Sequence, residues 1–306
     1  MGLIYSIDEA FEKRVLVGAS CAFGVFDGVH KGHQFLIDSA CEMTRENGGA
    51  SVALTFDIDP DEVFRPDKLK KLMTNEERIQ ALSRTCADYV VVLPFTREFA
   101  SQLPMDFLAT TFGEEIIYSL HVGNDFRFGC KAQGTVADLK AWGDGLGVRI
   151  CDHDLKSKYG SPITATRIRG LLSCGDCEVA TKLLGHPYTF TGKVLEGRHE
   201  GADMGFATAN LELPAMRQVL GEGVYAAYGY VDGRKYKVAM SVGVAPTFED
   251  ATATCEAHIL DFEGDIYGDT ITIEPVHYLR PMIKFETTDE LIATVMDNIA
   301  WTRENL

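Results

Sequence analysis

The sequence predicts an α/β domain with a parallel, doubly wound sheet, followed by a small antiparallel β-barrel domain with a C-terminal helix. The α/β prediction rests on buried strand patterns that alternate with helical patterns in the first part of the chain. The barrel prediction rests on a change after Gly185, where short segments of alternating polarity replace that order. Helical spacing returns only over residues 288–303. We therefore expect a Rossmann-like domain over residues 1–185 and a barrel domain over residues 186–306.

The length and composition fit two globular domains. The chain has 306 residues, of which 46% are hydrophobic and 24% charged, and these values are ordinary for folded domains. No run of about eighteen apolar residues occurs, and the acidic N-terminal residues are unlike a signal peptide. The sequence thus predicts a cytoplasmic protein without a membrane segment.

The net charge of −16 limits the classes of partner that the protein is expected to bind. Such an acidic surface repels nucleic acid and anionic membranes, so small molecules are the expected partners. A phosphate ligand must then be held by local geometry and metal, because the overall field opposes it. The oligomeric state is left open.

Eight cysteines are scattered along the chain, and six of them lie in apolar or helical contexts. This usage predicts reduced core residues in a reducing compartment. Cys174 and Cys177 have the spacing of a redox pair or of half a zinc site, but no second pair completes a metal site.

A cluster of glycines and histidines follows the first buried strand. The apolar run 21–23 stops at Gly24, and a turn leads into a helix that begins near residues 30–31. The free N–H groups and the helix dipole at such a turn suit phosphate. His30 and His33 share one face of the helix and can reach one anion together. A single histidine would be read as solvated, but the pair, beside an aspartate and three glycines, favours a nucleotide site.

The remaining α/β elements follow in order. A short acidic helical piece is expected within residues 2–20, before the first strand. After the cluster, a helix over Lys31–Asn47 ends at a double glycine. The later predicted strands are Ser51–Phe56, Tyr89–Leu93, Ile116–Val122 and Val148–Cys151, the later helices are Asn75–Thr85 and Pro104–Phe112, and residues 156–162 are a polar loop.

Polar groups also lie at the end of the α/β pattern. Thr164 and Thr166 can donate hydroxyl hydrogen bonds to phosphate, and Arg167 and Arg169 offer planar donor forks. An ordinary helix start explains the threonines about as well, but it does not explain two arginines before an apolar helix. Asp125, which follows a strand, fits an Asx turn when taken by itself.

The barrel domain offers fewer signals from the residues alone. Residues 231–234 (VDGR) predict a hairpin turn. Glu256 is one acidic residue on an amphipathic strand, and by itself it is more simply structural or solvent-facing.

These segments resemble the motifs of the bacterial bifunctional riboflavin kinase/FMN adenylyltransferase family, the FAD synthetases. The resemblance spans about residues 14–303, with the motifs of both halves in the expected order. The matches are residues 21–33 to GxFDGxHxGH, 122–134 to GxDFRFGxxRxG, 163–169 to ISSTRIR, 205–211 to GFPTANL, 241–248 to NIGxxPTF and 255–262 to LExHLLDF.

The resemblance implies two reactions. In the barrel, ATP phosphorylates riboflavin to FMN, and in the N-terminal domain a second ATP adenylylates FMN to FAD. It implies ATP as co-substrate, Mg²⁺ as cofactor, and riboflavin, FMN and FAD as substrates and products. The implied catalytic residues are His30, His33 and Glu256; the nucleotide-binding residues are Gly24, Phe26, Asp27, Gly28, Asp125, Thr164, Thr166, Arg167, Arg169, Gly205, Thr208 and Asn210, of which Thr208 and Asn210 also hold the metal.

Several positions depart from the family pattern. Glu200 and Ala202 replace basic residues and Ala207 replaces a proline, which leaves a monofunctional FAD synthetase with an inactive barrel as an alternative. Asp59 replaces a histidine and Ala132 a basic residue in the first domain. A non-catalytic protein that binds flavin or nucleotide is therefore the second alternative.

Overall fold

The computed structural model describes residues 1–65, 70–196, 206–213, 216–244 and 253–306. The chain divides into two compact units, Met1–Ala165 and Thr166–Leu306. The division lies before the domain boundary expected at residue 185, because two helices that precede this residue pack within the second unit. The boundary at residue 185 stays a prediction for the functional domains.

The first unit contains a six-stranded parallel sheet in the order β1-β4-β3-β2-β5-β6. The strand order reverses between β2 and β5, and ligands bind at such a switch point in doubly wound sheets. This sheet and its helices confirm the Rossmann-like prediction. The strands are β1 (Leu3–Ser6), β2 (Ser20–Phe23), β3 (Ser51–Phe56), β4 (Tyr89–Leu93), β5 (Ser119–Gly123) and β6 (Arg149–His153); the α-helices are α1 (Ile7–Glu12), α2 (Lys31–Asn47), α3 (Pro60–Phe64), α4 (Asn75–Ser83), α5 (Arg97–Ala100), α6 (Pro104–Phe112) and α7 (Val136–Leu146).

Helix α2 has the ends that its sequence predicts. The His30 side chain caps its first turn. The helix ends at Asn47 because Gly48, with φ of 78°, takes a left-handed conformation that suits glycine. Ile37, Ala40 and Cys41 are the buried residues of this helix, which packs against β2, β3 and β5.

Helices α3, α5 and α7 were not predicted, and two further parts of the first unit differ from the prediction. The region expected to hold only a helical piece begins with β1, a short edge strand whose residues are mostly exposed, so burial leaves little pattern there. The expected polar loop contains a small hairpin of β7 (Ser157–Lys158) and β8 (Ser161–Pro162). Its turn residues Tyr159 and Gly160 both have positive φ, as a tight hairpin turn requires.

The cysteine prediction is wrong for one pair. Cys41 of α2 and Cys86, in the segment before β4, form a disulfide. The other cysteines are free: Cys21, Cys130, Cys151, Cys174, Cys177 and Cys255.

The second unit contains a closed six-stranded antiparallel barrel and a C-terminal helix, as predicted. Val231 pairs with Arg234 across Asp232 and Gly233, both at positive φ, which confirms the predicted hairpin. Helices α8 (Ala165–Ser173) and α9 (Cys177–Leu184) precede it, followed by β9 (Phe190–Leu195), β10 (Ala209–Glu212), β11 (Gly223–Val231), β12 (Arg234–Val244), β13 (Ala253–Ile259), β14 (Thr270–Arg280) and α10 (Thr288–Asn305).

Helices α8 and α9 pack against the barrel within this unit. Gln218 donates a hydrogen bond through Nε2 to Ser173 Oγ at 2.8 Å. Glu178 of α9 contacts His277 of β14, and the His277 ring stacks on Trp301 of α10 at a centroid distance of 4.8 Å. These contacts explain why the compact unit begins at Thr166.

Candidate active sites

A cavity of about 250 Å³ lies at the carboxyl ends of three neighbouring strands of the first unit. Phe23, Gly123 and His153, the last residues of β2, β5 and β6, all line it. This is the switch point of the sheet, where the fold places ligands. Its other lining residues are Gly24, Phe26, His30, Gly32, His33, Phe35, Leu36, Asp125, Phe126, Asp154, Leu155, Lys156, Ile163, Thr164 and Ala165.

The turn between β2 and α2 has an unusual backbone. Phe26, Gly28 and Val29 have φ values of 62°, 76° and 37°. Glycine takes this conformation readily, but a β-branched valine does so at a cost. At Gly24 a Cβ would lie 3.0 Å from the buried Phe26 ring, so the ring leaves little room for a side chain at position 24.

His30 and His33 stand together at the first turn of α2. The His33 backbone N–H donates a hydrogen bond to His30 Nδ1 at 3.3 Å. Because Nδ1 of His30 is the acceptor, it is the unprotonated nitrogen of that ring. The two rings stack with centroids 3.5 Å apart. A Cβ at Gly32 would lie 3.1 Å from the His30 ring, so a glycine lets the ring pack here.

The His33 ring is held neutral. Burial lowers its pKa well below the usual range, and the charges of His30 and Arg78 act in the same direction. Its Nδ1 is buried and has no hydrogen-bond partner in the part of the chain that the structure describes. The residue also lines the cavity, so its neutral imidazole at a helix N-terminus can form a hydrogen bond with a ligand oxygen.

The side chain of Arg78 supports this turn through hydrogen bonds. No motif in the sequence indicated it. This side chain of α4 is 2% exposed. It donates to the Val25 carbonyl at 3.0 Å, to Thr55 Oγ1 at 2.6 Å and to the Phe56 carbonyl at 2.8 Å. The buried guanidinium therefore ties the turn to the end of β3. These three partners are 22 to 53 residues away in the chain, so no local pattern indicates them.

Asp27 is engaged in the protein interior. Its carboxylate accepts hydrogen bonds from the backbone N–H groups of Leu72 at 2.9 Å and Met73 at 3.2 Å. It is 6% exposed and does not line the cavity. Gly28 does not line the cavity either, and its positive φ shapes the turn.

Asp59, which stands where the related motif has a histidine, caps a helix. Its carboxylate accepts from the Asp61 N–H at 2.9 Å, and Glu62 completes a capping box by accepting from the Asp59 N–H. Burial raises the pKa of Asp59. The carboxylate is thus engaged in α3 and does not line the cavity.

The other predicted residues of the first site are partly brought together. Asp125 and Thr164 line the cavity, and Asp125 Oδ1 lies 2.7 Å from the position of a Cβ on Gly123. Thr166, Arg167 and Arg169 belong to the second unit, where Arg169 donates to Thr166 Oγ1 at 3.1 Å. Their place relative to the cavity stays a prediction.

In the second unit, Asn210 of β10 pairs with Glu256 of β13. Thr208 comes just before β10, and the His258 ring hydrogen-bonds through Nδ1 to the Ala207 carbonyl at 2.8 Å. Because a carbonyl only accepts, this nitrogen carries the proton. Gly205, the loop residues 198–202 and the segment 245–248 lie outside the described residues, so their predicted roles stay predictions.

The described ranges contain neither a metal-binding cluster nor a helix suited to span a membrane. Within the described ranges, no group of three or more His, Cys, Asp and Glu side chains could hold a metal ion. None of the helices in those ranges combines the length and the apolar character needed to cross a membrane.

Comparison with known proteins matches both halves. A family model described as FAD synthetase matches residues 12–167, and one described as riboflavin kinase matches residues 184–306. A bifunctional riboflavin kinase/FMN adenylyltransferase from Listeria monocytogenes is 33% identical over 89% of this chain and 87% of its own length. The protein of that name from Haemophilus influenzae is 33% identical over 95% and 94%.

The chain belongs to the bifunctional riboflavin kinase/FMN adenylyltransferase family. It is an enzyme that phosphorylates riboflavin to FMN and adenylylates FMN to FAD. The main interpretation of the sequence therefore holds over the two alternatives. A solved structure from Streptococcus pneumoniae, described as a macrolide-efflux protein, shares the fold at a TM-score of 0.83, with 31% identity over 94% of this chain and 95% of that one.

The cavity of this family member also contains two residues that no motif indicated. Lys156 Nζ lies 3.6 Å from the centroid of the Phe35 ring. His153 meets the same ring edge-on at a centroid distance of 5.3 Å. The signal that could have found them is the order of the strands, since residues after β6 must face the switch point next to those after β5.

Proposed function

We propose that the two reactions use two separate sets of residues, one in each compact unit. Adenylyl transfer is assigned to the cavity of the first unit, with His30 and His33 beside the reacting phosphates. Riboflavin phosphorylation is assigned to the barrel, with Thr208, Asn210 and Glu256. The observation that carries the first assignment is the pairing of two histidines at the N-terminus of α2, inside the cavity.

In adenylyl transfer, the FMN phosphate attacks the α-phosphorus of ATP and pyrophosphate leaves. The protein needs no covalent nucleophile for this, because alignment and charge stabilisation carry such reactions. His30 accepts through Nδ1 from a backbone N–H, so a neutral His30 has its proton on Nε2 and donates from there to the developing charge. The dipole of α2 acts in the same direction.

The other residues of the first site have supporting roles in this proposal. Asp125 and Thr164 place the nucleotide from the cavity wall, and Gly24 and Phe26 form the part of the turn that faces it. Asp27 and Gly28 act from beneath, since the carboxylate of Asp27 braces the turn against residues 72–73. Thr166, Arg167 and Arg169 contribute phosphate contacts.

In the kinase reaction, Glu256 takes the proton from the ribityl hydroxyl of riboflavin as this oxygen receives the γ-phosphoryl group of ATP. Mg²⁺ neutralises phosphate charge when it is bound. The hydroxyl of Thr208 and the amide oxygen of Asn210 are the hard, neutral ligands that Mg²⁺ accepts alongside phosphate oxygens. Gly205 is proposed to let the chain approach the nucleotide. Small molecules are the proposed partners, which the net charge of −16 supports. The cytoplasm is the proposed location, as the sequence analysis expects.

The assignment is tested by chromatography of flavins after incubation with Mg-ATP and either riboflavin or FMN. The wild type yields FAD from both substrates. A variant of the first site is expected to stop at FMN when it starts from riboflavin. A variant of the second site is expected to make FAD from FMN alone. If either kind of variant abolished both reactions while the protein stayed folded, the separation of the two sites would be wrong.

A further inference from the structure

A chain of hydrogen-bonded side chains runs behind the cavity wall of the first unit. Ser119 Oγ and His121 Nε2 share a hydrogen bond of 3.2 Å, and His121 Nδ1 and His153 Nε2 share one of 3.1 Å. The His121 ring is 1% exposed. None of the three residues belongs to a motif that the proposed mechanism uses, although His153 lines the cavity.

The sheet register explains how the two rings meet. His121 of β5 is paired with Cys151 of β6. His153, two residues further along, has its side chain on the same face as Cys151. The two imidazole rings stack with centroids 5.2 Å apart. The Phe35 ring meets His153 edge-on, so the ring is held between a neighbouring strand and α2.

Both imidazoles are held neutral. Burial lowers the pKa of His121 to about 4, and His153 adds to this effect. Burial also lowers the pKa of His153; Asp152 opposes that shift and Lys156 adds to it. A neutral imidazole has one donor and one acceptor nitrogen. The donor-to-acceptor direction of the hydrogen bonds from Ser119 through His121 to His153 therefore decides whether His153 Nδ1 offers an N–H or a lone pair.

His153 Nδ1 is the last ring nitrogen of this series of hydrogen-bonded side chains, and its residue lines the cavity. It makes no hydrogen bond to any residue in the described ranges. If the phosphates lie at His30 and His33, as proposed above, they lie at the end of β2. Strand β6 is two strands away, which is about 10 Å at the usual spacing. A ribose and its base extend from the α-phosphate over a span of this order.

We propose that His153 is a specificity-determining residue that hydrogen-bonds the polar edge of the adenine of ATP, and that His121 is a positioning residue that fixes its ring and tautomer. This inference rests on the proposed placement of the phosphates. An uncharged donor or acceptor suits an uncharged base edge, and the aromatic rings of Phe35 and Phe126 line the same cavity.

The first test is kinetic and uses the full-length enzyme. His153→Leu is assayed for FMN adenylylation with ATP and FMN varied in turn. Loss of one hydrogen bond raises KM for ATP roughly three- to tenfold, while KM for FMN and kcat at saturating ATP stay unchanged. An unchanged kcat also shows that the first unit is folded. His153→Gln, which keeps a polar group, is the second variant and gives a smaller rise.

Nucleotide analogues provide an independent readout. Wild-type enzyme discriminates ATP from the triphosphate of unsubstituted purine riboside or from 7-deaza-ATP, which lack the exocyclic amine and the N7 acceptor, respectively. His153→Leu loses its discrimination against one of the two, and the analogue concerned identifies the atom that His153 contacts. Equal discrimination in wild type and variant against both analogues would overturn the proposal.

The role of His121 is tested by rescue. His121→Leu is expected to reproduce the rise in KM for ATP. His121→Asn, whose side chain can replace Nδ1 in the hydrogen bond to His153, should return KM for ATP most of the way to the wild-type value. The double variant His121→Leu/His153→Leu is expected to have a KM for ATP no higher than that of His153→Leu alone. A rise confined to KM for FMN would place the flavin ring at His153 and overturn the adenine assignment. If His33→Ala left adenylylation unchanged, the proposed function itself would be wrong, whatever the His153 variants show.

Discussion

Asn210 and Glu256 lie directly opposite each other in the antiparallel ladder between β10 and β13. Both are partly exposed, whereas their neighbours Ala209 and Ala257 are buried, so the pair shares the face of the ladder that is turned away from the buried side chains. Two residues from separate motifs, 46 positions apart, are thus cross-strand neighbours. The roles proposed above, holding Mg-ATP for Asn210 and taking a proton from the acceptor hydroxyl for Glu256, need this proximity.

We expect Glu256→Gln to lower FMN formation from riboflavin by at least about a hundredfold, because an amide cannot accept the hydroxyl proton. FAD formation from FMN is expected to continue at the wild-type rate. Glu212→Gln is the matched control, since Glu212 lies on the same strand face as Asn210 but is exposed. Flavin chromatography from each substrate measures both outcomes, and full kinase activity in Glu256→Gln would remove Glu256 as the base.

We expect His33→Ala to lower adenylylation turnover by roughly 10²- to 10³-fold, the loss typical of one transition-state donor. Riboflavin is then expected to accumulate as FMN, because the kinase reaction is proposed to use a separate site. Steady-state rates with FMN and Mg-ATP provide the measurement, and the kinase rate of the same preparation is the control. A change in KM alone, with kcat intact, would show that His33 binds the ground state and not the transition state.

Binding of Mg²⁺ is expected to require ATP. The described residues contain no cluster of three or more His, Cys, Asp and Glu side chains that could hold a metal, and two neutral oxygens leave most of the Mg²⁺ coordination to phosphate and water. Titration calorimetry should detect no tight Mg²⁺ site without nucleotide and a tight one with ATP. Thr208→Val is expected to raise the Mg²⁺ concentration at which the kinase reaction reaches half its maximal rate. Tight binding to the protein alone would contradict this.

The disulfide between Cys41 and Cys86 predicts a defined thiol count. A thiol reagent under denaturing conditions should label six cysteines before reduction and eight after it. The bond closes a loop of 45 residues, and the chain-entropy model gives it up to about 4 kcal/mol of the free energy of unfolding. Cys41→Ser should lower that free energy, whereas Cys174→Ser, at an exposed free cysteine, should not. Eight thiols before reduction would show that the bond is not formed in solution.

The buried His121 is expected to make the first unit acid-sensitive. The unfolded chain takes up this proton near pH 6.5, but the folded protein does so only near pH 4. The unfolded state therefore binds more protons between these values, and the free energy of unfolding falls as the pH falls, by up to roughly 3 kcal/mol. Thermal unfolding from pH 7 to pH 4.5 measures this, and His121→Asn should flatten the dependence. An unchanged slope in the variant would assign it to other groups.

The sequence predicted those parts of the molecule whose determinants are local. Helix α2 has its cap at His30 and its stop at Gly48 within its own length, and the hairpin at residues 231–234 is set by its two central residues. The strand β1 was missed because an exposed edge strand has little burial to pattern it.

The contents of the first site were predicted only in part, for a similar reason. The stacked histidines share one helical turn, so their spacing indicated them. Arg78 and the pair of His121 and His153 act across the sheet, and their partners are fixed by tertiary packing. The role of Asp27 in nucleotide binding stays a prediction, and the hydrogen bonds that its carboxylate accepts from residues 72–73 were not indicated by any local pattern.

The backbone at Val29 has a consequence for the engineering of this enzyme. A valine at φ of 37° costs about 1–3 kcal/mol, which a glycine would not incur. A screen that rewards heat resistance alone would therefore tend to replace Val29, since that change relaxes the chain. The same change would make the turn that leads to His30 less rigid and lower the rate of FAD formation. Stabilised descendants of this protein should thus be selected on flavin output and survival together.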